Sequence, residues 1–123
     1  MLISGERSRS RLDAVIDDDD DVAISAITVA ELLVGVELAT ARHRARRATF
    51  VEGVLANLMV EDYTADTARS HAALLSATRR DGRHRGAHDL IIAATAVGTA
   101  RILVTADERG FDGLPELELR VIR

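Results

Sequence analysis

Apolar residues in this chain come in short bursts, and the long interval between the first burst and the second has helical character. Val22 to Ile27 reads VAISAI, Arg101 to Thr105 reads RILVT, and Leu117 to Ile122 reads LELRVI. Runs this short and rich in β-branched residues fit buried strands, and the last alternates as an edge strand does. Between them lie four helical stretches. One opens at Thr28-Val-Ala-Glu31 and runs to about Thr40, and a second spans about Ala41 to Leu58. A third covers about Ala65 to Arg80 and stops at Asp81-Gly82, and a fourth covers about His88 to Ala100. In the fourth, Leu90, Ile91, Ala94, Val97 and Gly98 recur on one packed face. Strands joined through helices imply right-handed βαβ crossovers and a mainly parallel sheet flanked by helices, the α/β class. Two weaker pieces complete the chain. Glu6 to Ile16 reads as a short helix broken by the five aspartates Asp17 to Asp21, and Val60 to Asp62 as a connector or minimal strand.

Composition narrows the function classes. With 123 residues, 47% apolar and 29% charged, the expectation is a single folded domain with a real core. The absence of cysteine excludes a disulfide scaffold, a zinc ribbon and thiol chemistry. No apolar run reaches the roughly 20 residues of a membrane span, and the N-terminus lacks a signal-peptide layout, so a cytoplasmic protein is expected. All 16 basic residues are arginine, a bias that a GC-rich coding sequence explains, although arginine also binds phosphate bidentately. Aromatics at 2% argue against base-stacking platforms. No Gly-x-Ser-x-Gly, P-loop or dinucleotide fingerprint is present.

Sites on parallel sheets form beyond the carboxyl ends of the strands. Three acids fall there: Glu31, four residues past Ile27; Asp107, two past Thr105; and Asp89, opening the helix that feeds the second of those strands. Each has a bland alternative. Glu31 can be the glutamate of a capping box with Thr28, Asp89 a first-turn acid facing a helix dipole, and Asp107 a turn residue. Their shared sheet edge favours a functional reading, because clustered carboxylates repel unless a cation neutralises them. Oxygen ligands without cysteine point to Mg²⁺ or Mn²⁺, and such an ion suits phosphodiester hydrolysis.

The segments Ser25-Ala-Ile-Thr28-Val-Ala-Glu31-Leu, His88-Asp89-Leu-Ile-Ile-Ala-Ala and Leu103-Val-Thr105-Ala-Asp107, with Phe111 just after, resemble a PIN-domain ribonuclease. More narrowly they resemble the VapC toxins of VapBC toxin–antitoxin pairs, and the likeness runs from Leu2 to Ile122. The resemblance implies a PIN-like three-layer sandwich and a Mg²⁺- or Mn²⁺-dependent endoribonuclease inhibited by a cognate VapB-type antitoxin. It also implies a homodimer, with Glu31, Asp89 and Asp107 as the metal-site acids.

The N-terminus departs from that pattern. The family opens with a strand ending in Asp-Thr-Ser or Asp-Thr-Asn, whereas Met1-Leu2-Ile3-Ser4-Gly5-Glu6 looks like the residues after that motif. The first strand and its aspartate are therefore expected to be missing, through a misassigned start codon or a truncated gene. A chain so shortened would be less stable and impaired in cleavage. The rival reading is accordingly a PIN-fold binding module that engages antitoxin or a sister subunit without cutting; a DNA-directed nuclease is a third. Of two arginine clusters, Arg42, Arg44, Arg46 and Arg47 read as a solvated face. Arg79, Arg80, Arg83 and Arg85 lie just before Asp89, where they could meet RNA phosphates. His88 is expected to flank the acids, and a zinc pair with His84 is disfavoured because no further ligand converges.

Overall fold

The computed structural model describes residues 1–5 and 21–122. In chain order the elements are β1 (Leu2–Ile3), β2 (Ala23–Ser25), α1 (Ala26–Glu37), α2 (Ala41–Asn57), β3 (Met59–Glu61), α3 (Ala65–Asp81), α4 (Ala87–Gly98), β4 (Leu103–Thr105) and β5 (Leu119–Val121). The strands form one sheet in the order β3-β2-β1-β4-β5, and all four pairings are parallel. The α/β class and the edge position of the last strand are as expected. The connector at 60–62 is a true strand, because Met59 to Glu61 pairs with Ala23 to Ser25 along its whole length. The expected helix over residues 6–16 and all of the aspartate run except Asp21 lie outside the described residues.

Although the family's first strand is expected to be missing, a two-residue strand stands at the N-terminus. Leu2 and Ile3 fill the centre of the sheet, Leu2 in register with both Ala23 and Leu103, and Ile3 with both Ile24 and Val104. Without them, β2 and β4 would each face an unpaired ladder, which buried backbone groups do not tolerate. The segment Met1 to Ser4 satisfies both sides: Leu2 N–H donates to Ile102 O at 2.8 Å, Ser4 N–H to Val104 O at 3.2 Å, and Ala23 N–H to Met1 O at 2.8 Å. Both strand side chains are fully buried. The residue that follows this strand is a serine, Ser4.

Side chains alternate across the sheet, so the two strand residues enter different cores. Leu2 joins Ala23, Leu103, Leu74, Leu90, Ala93 and Phe111 on the face that α3 and α4 cover. Ile3 joins Val104 and Ile122 on the other face, with Met1, Val22, Leu58 and Ala106 around them. Among the described residues, no helix is long and apolar enough to cross a membrane.

The first helix begins earlier than its sequence signature suggests. Ser25 is its N-cap, accepting the Ile27 N–H at 3.3 Å, and Thr28 is buried inside the first turn. The capping box at Thr28 and Glu31 is therefore not formed, and the Glu31 carboxylate is released for other partners. At the other end of the helical region α3 stops at Asp81, capped by Gly82 in the left-handed conformation at φ 72°.

Candidate metal and nucleic-acid site

The chain leaves β1 towards β2 on one side and β4 towards β5 on the other, so the order reverses between β1 and β4. Parallel sheets bind ligands beyond the carboxyl ends of the strands at such a reversal. Here Ser4 follows β1 and Thr105 ends β4, and the Ser4 hydroxyl donates to Thr105 Oγ1 at 2.8 Å across the gap. Thr105 Oγ1 also accepts the Asp107 N–H at 3.0 Å, which fixes the turn out of β4.

That turn aims Asp107 at a glycine. Gly110 N–H donates to Asp107 Oδ1 at 3.3 Å. A methyl group on Gly110 would stand 2.9 Å from Asp107 Oδ2 and 3.1 Å from Asp89 Oδ2, so the two carboxylates converge on one glycine that has no room for a side chain. Asp89, in the first turn of α4, is also approached by Gly86, where an added Cβ would lie 3.1 Å from the same Oδ2. Partial burial raises the Asp89 carboxyl above its ordinary pKa, and the charges of Asp107 and Glu31 push it the same way. His88 and Arg85 pull it back down.

Glu31 stands on the exposed side of α1, its Oε1 3.2 Å from His88 Nδ1. Both side chains are about half exposed, so this pair orients more than it stabilises. The structure thus brings Asp89 and Asp107 together, with Glu31 near enough to act on Asp89 through its charge and tied to His88. Among the described residues, no three His, Asp or Glu side chains are placed to hold a metal ion together. The converging oxygens of Asp89 and Asp107 nonetheless fit Mg²⁺, a hard cation that commonly takes one or two carboxylates and keeps several waters.

The four arginines before Asp89 divide into two pairs. Arg79 and Arg80 are exposed in the last turn of α3. Arg83 and Arg85 turn instead to the segment after β4. Arg83 Nη2 donates to Asp112 Oδ1 at 2.7 Å and to Arg109 O at 3.3 Å. Arg85, with only 4% of its side chain exposed, donates to the main-chain carbonyls of Arg109, at 3.4 Å, and Asp112. Of the other cluster, Arg44 donates to Glu37 O and Ala39 O, and Arg47 to Gly35 O, so part of that basic face caps the last carbonyls of α1. Sequence reasoning missed Gly86, Gly110 and Asp112. A glycine three residues from each aspartate was the available signal, but it looks like any loop glycine until the carboxylates are seen against it.

The family model of the PIN domain matches residues 1–117, and the chain belongs to the PIN-domain family. Ribonuclease VapC5 of Mycobacterium tuberculosis is 36% identical over 124 residues, covering 97% of this chain and 88% of that protein. The tRNA(fMet)-specific endonuclease VapC of Salmonella typhimurium is 31% identical over 98 residues, 80% of this chain and 73% of that protein. Among solved structures, VapBC-5 of M. tuberculosis, a member of the VapBC family of toxin–antitoxin systems, superposes with a TM-score of 0.80. It is 30% identical and covers 98% of this chain and 97% of that chain.

Proposed function

We infer that this protein is a metal-dependent endoribonuclease toxin of a toxin–antitoxin pair, hydrolysing phosphodiester bonds in RNA. The observation that carries this reading is the convergence of Asp89 and Asp107 on Gly110 at the reversal point of an all-parallel sheet. The relatives' names, ribonuclease and tRNA-specific endonuclease, support the substrate class.

Asp89 and Asp107 would hold Mg²⁺ or Mn²⁺ through carboxylate oxygens, with Glu31 as the third acid. The ion would supply Lewis-acid chemistry, polarising the phosphodiester and drawing a nucleophile from water at neutral pH. The chain's own part is preorganisation. The glycines hold two repelling carboxylates close together, the Thr105 hydroxyl fixes the turn that carries Asp107, and His88 keeps Glu31 turned towards α4. Exposed Arg79 and Arg80 would meet phosphates that the acids alone would repel. A VapB-type antitoxin is the proposed partner, as in the VapBC neighbour, and a homodimer the proposed assembly. Leu33, Val34 and Leu38, exposed at the end of α1, offer apolar surface for one of them.

The test is cleavage of RNA with and without Mg²⁺. Cleavage that requires the ion and disappears in Asp89→Asn supports the reading, and equal cutting of DNA would replace it with a DNA-directed nuclease. A second reading, a binding module impaired in cleavage, is favoured by Ser4 standing at the end of β1 in place of a carboxylate. It predicts antitoxin binding with no metal-dependent cutting by the unmodified chain.

A further inference from the structure

The buried arginine beside the acids is the feature with the most unexplained structure around it. Arg85 is charged and almost wholly enclosed; its guanidinium donates to two main-chain carbonyls, those of Arg109 and Asp112, and lies 3.7 Å from the Asp112 carboxylate. Burying a guanidinium costs several kcal/mol unless its donors are satisfied, so a fold keeps one where its forked geometry is needed. The two carbonyls bracket Gly110, the residue against which both Asp89 and Asp107 rest. Arg83 reinforces the grip by bonding the Asp112 carboxylate and the same Arg109 carbonyl. Arg85 is followed directly by Gly86, which also borders the Asp89 carboxylate. One arginine therefore adjoins Gly86 in the chain and bonds the main chain on either side of Gly110.

We propose that Arg85 is a positioning residue: by clamping the 109–112 segment onto the start of α4, it presses Gly110 against Asp89 and Asp107 and sets the spacing of the two carboxylates. Arg83 and Asp112 form the outer half of the clamp. This inference rests on the reading of Asp89 and Asp107 as the reacting acids, and it replaces an RNA-contact role for Arg85 with a role inside the protein.

The experiment compares wild type, Arg85→Ala, Arg85→Lys and Gly110→Ala in three measurements: amide hydrogen exchange at Gly110, Mn²⁺ affinity by calorimetry, and kcat and KM on RNA. Arg85→Ala is expected to speed exchange at Gly110 and to weaken Mn²⁺ binding and kcat by about 10- to 100-fold, the usual cost of removing a supporting partner of a metal ligand. KM should stay within about twofold, since no phosphate contact is lost. Arg85→Lys keeps the charge without the fork and should recover little. Gly110→Ala leaves every arginine in place and pushes a methyl group onto the carboxylates, so it should reproduce the losses in Mn²⁺ affinity and kcat. It also serves if Arg85→Ala does not fold. A raised KM with a flattened salt dependence and unchanged kcat would make Arg85 an RNA contact and overturn the proposal. Full rescue by lysine, or a wild-type-like Gly110→Ala, would overturn it too. If wild type cuts no RNA, the functional reading falls by itself, and the clamp is then decided by the exchange and Mn²⁺ ratios.

Discussion

The least expected feature of the fold is that its central strand is two residues long, and Ile3→Ala tests it directly. Ile3 is fully buried between β2 and β4 in a small core with Val104 and Ile122. The substitution removes three carbons, worth about 2.4 kcal/mol at ~0.8 kcal/mol per buried methylene. The cavity adds to this, because a strand paired on both sides cannot collapse into the space, and isoleucine-to-alanine losses of about 2–5 kcal/mol are usual. An expected loss of about 3–4 kcal/mol is a large share of the roughly 5–15 kcal/mol that holds a domain together. Urea unfolding followed by circular dichroism would read it as a midpoint shift of about 1.5–2 M at an m-value near 2 kcal/mol/M. Val121→Ala, on the half-buried edge strand β5, is the internal control and should cost about 1 kcal/mol or less. If Ile3→Ala costs under about 0.5 kcal/mol, as a substitution on a peripheral N-terminal tail would, then the centre of the sheet is not built from Leu2 and Ile3.

Three further outcomes are expected. Asp89→Asn should abolish Mg²⁺-dependent RNA cleavage and, without divalent ions, raise stability near pH 7. Burial first, and the charges of Asp107 and Glu31 next, hold this carboxyl's folded-state pKa above its unfolded value, so its charge opposes folding at neutral pH and ceases to do so as pH falls through the raised pKa; the gain measured by urea unfolding should therefore shrink on acidification, and a loss at pH 7 would contradict the raised pKa. Arg79→Ala with Arg80→Ala should weaken RNA binding and reduce the salt slope of log K by about 0.7 for each phosphate contact removed, as on single strands, while an unchanged slope would remove both from the RNA path. Ser4→Asp should raise Mn²⁺ affinity roughly tenfold by adding a carboxylate at the sheet reversal, and unchanged affinity by calorimetry would show that the end of β1 does not reach the ion.

The elements most legible in the sequence were those whose signals are local. The stop of α3 at Asp81-Gly82 and the alternation of the last strand depend on residues within a few positions of one another, and the structure has both. By contrast, α4 buries Ile92, Ala93, Thr95 and Ala96 as well as Leu90 and Ala94 and leaves Gly98 exposed, so it is enclosed nearly all round rather than packed on the one expected face. Glu31, Asp89 and Asp107 could be chosen because the carboxyl-end rule turns a strand assignment into a place on the sheet. What could not be read depends on contacts distant in sequence. Leu2 and Ile3 make too short a run to register as a strand, and only the gap between residues 23–25 and 103–105 makes one of them. Thr28 and Glu31 have the right spacing for a capping box, but the Ser25 hydroxyl takes that role three residues earlier. Arg85 looks like its neighbours in a basic loop, and its burial follows from carbonyls 24 and 27 positions away.

These distant contacts share a physical cause. Two carboxylates brought together in a partly desolvated edge repel, and a fold that keeps them there must hold them from outside. Side chains large enough to do so would occupy the space that a cation and a phosphate need. Glycine resolves the conflict, since at Gly86 and Gly110 the main chain comes close to the Asp89 carboxylate with no side chain in between. Main chain alone is pliable, however, and a glycine-containing segment gains rigidity only from what anchors its ends. Arg85 and Arg83 anchor one such segment through Arg109 and Asp112, and the Ser4–Thr105–Asp107 hydrogen bonds anchor the turn that leads into it. The repulsion between the acids is thus opposed by hydrogen bonds that do not use the Asp89 carboxylate, which on the proposed function would remain available to an ion.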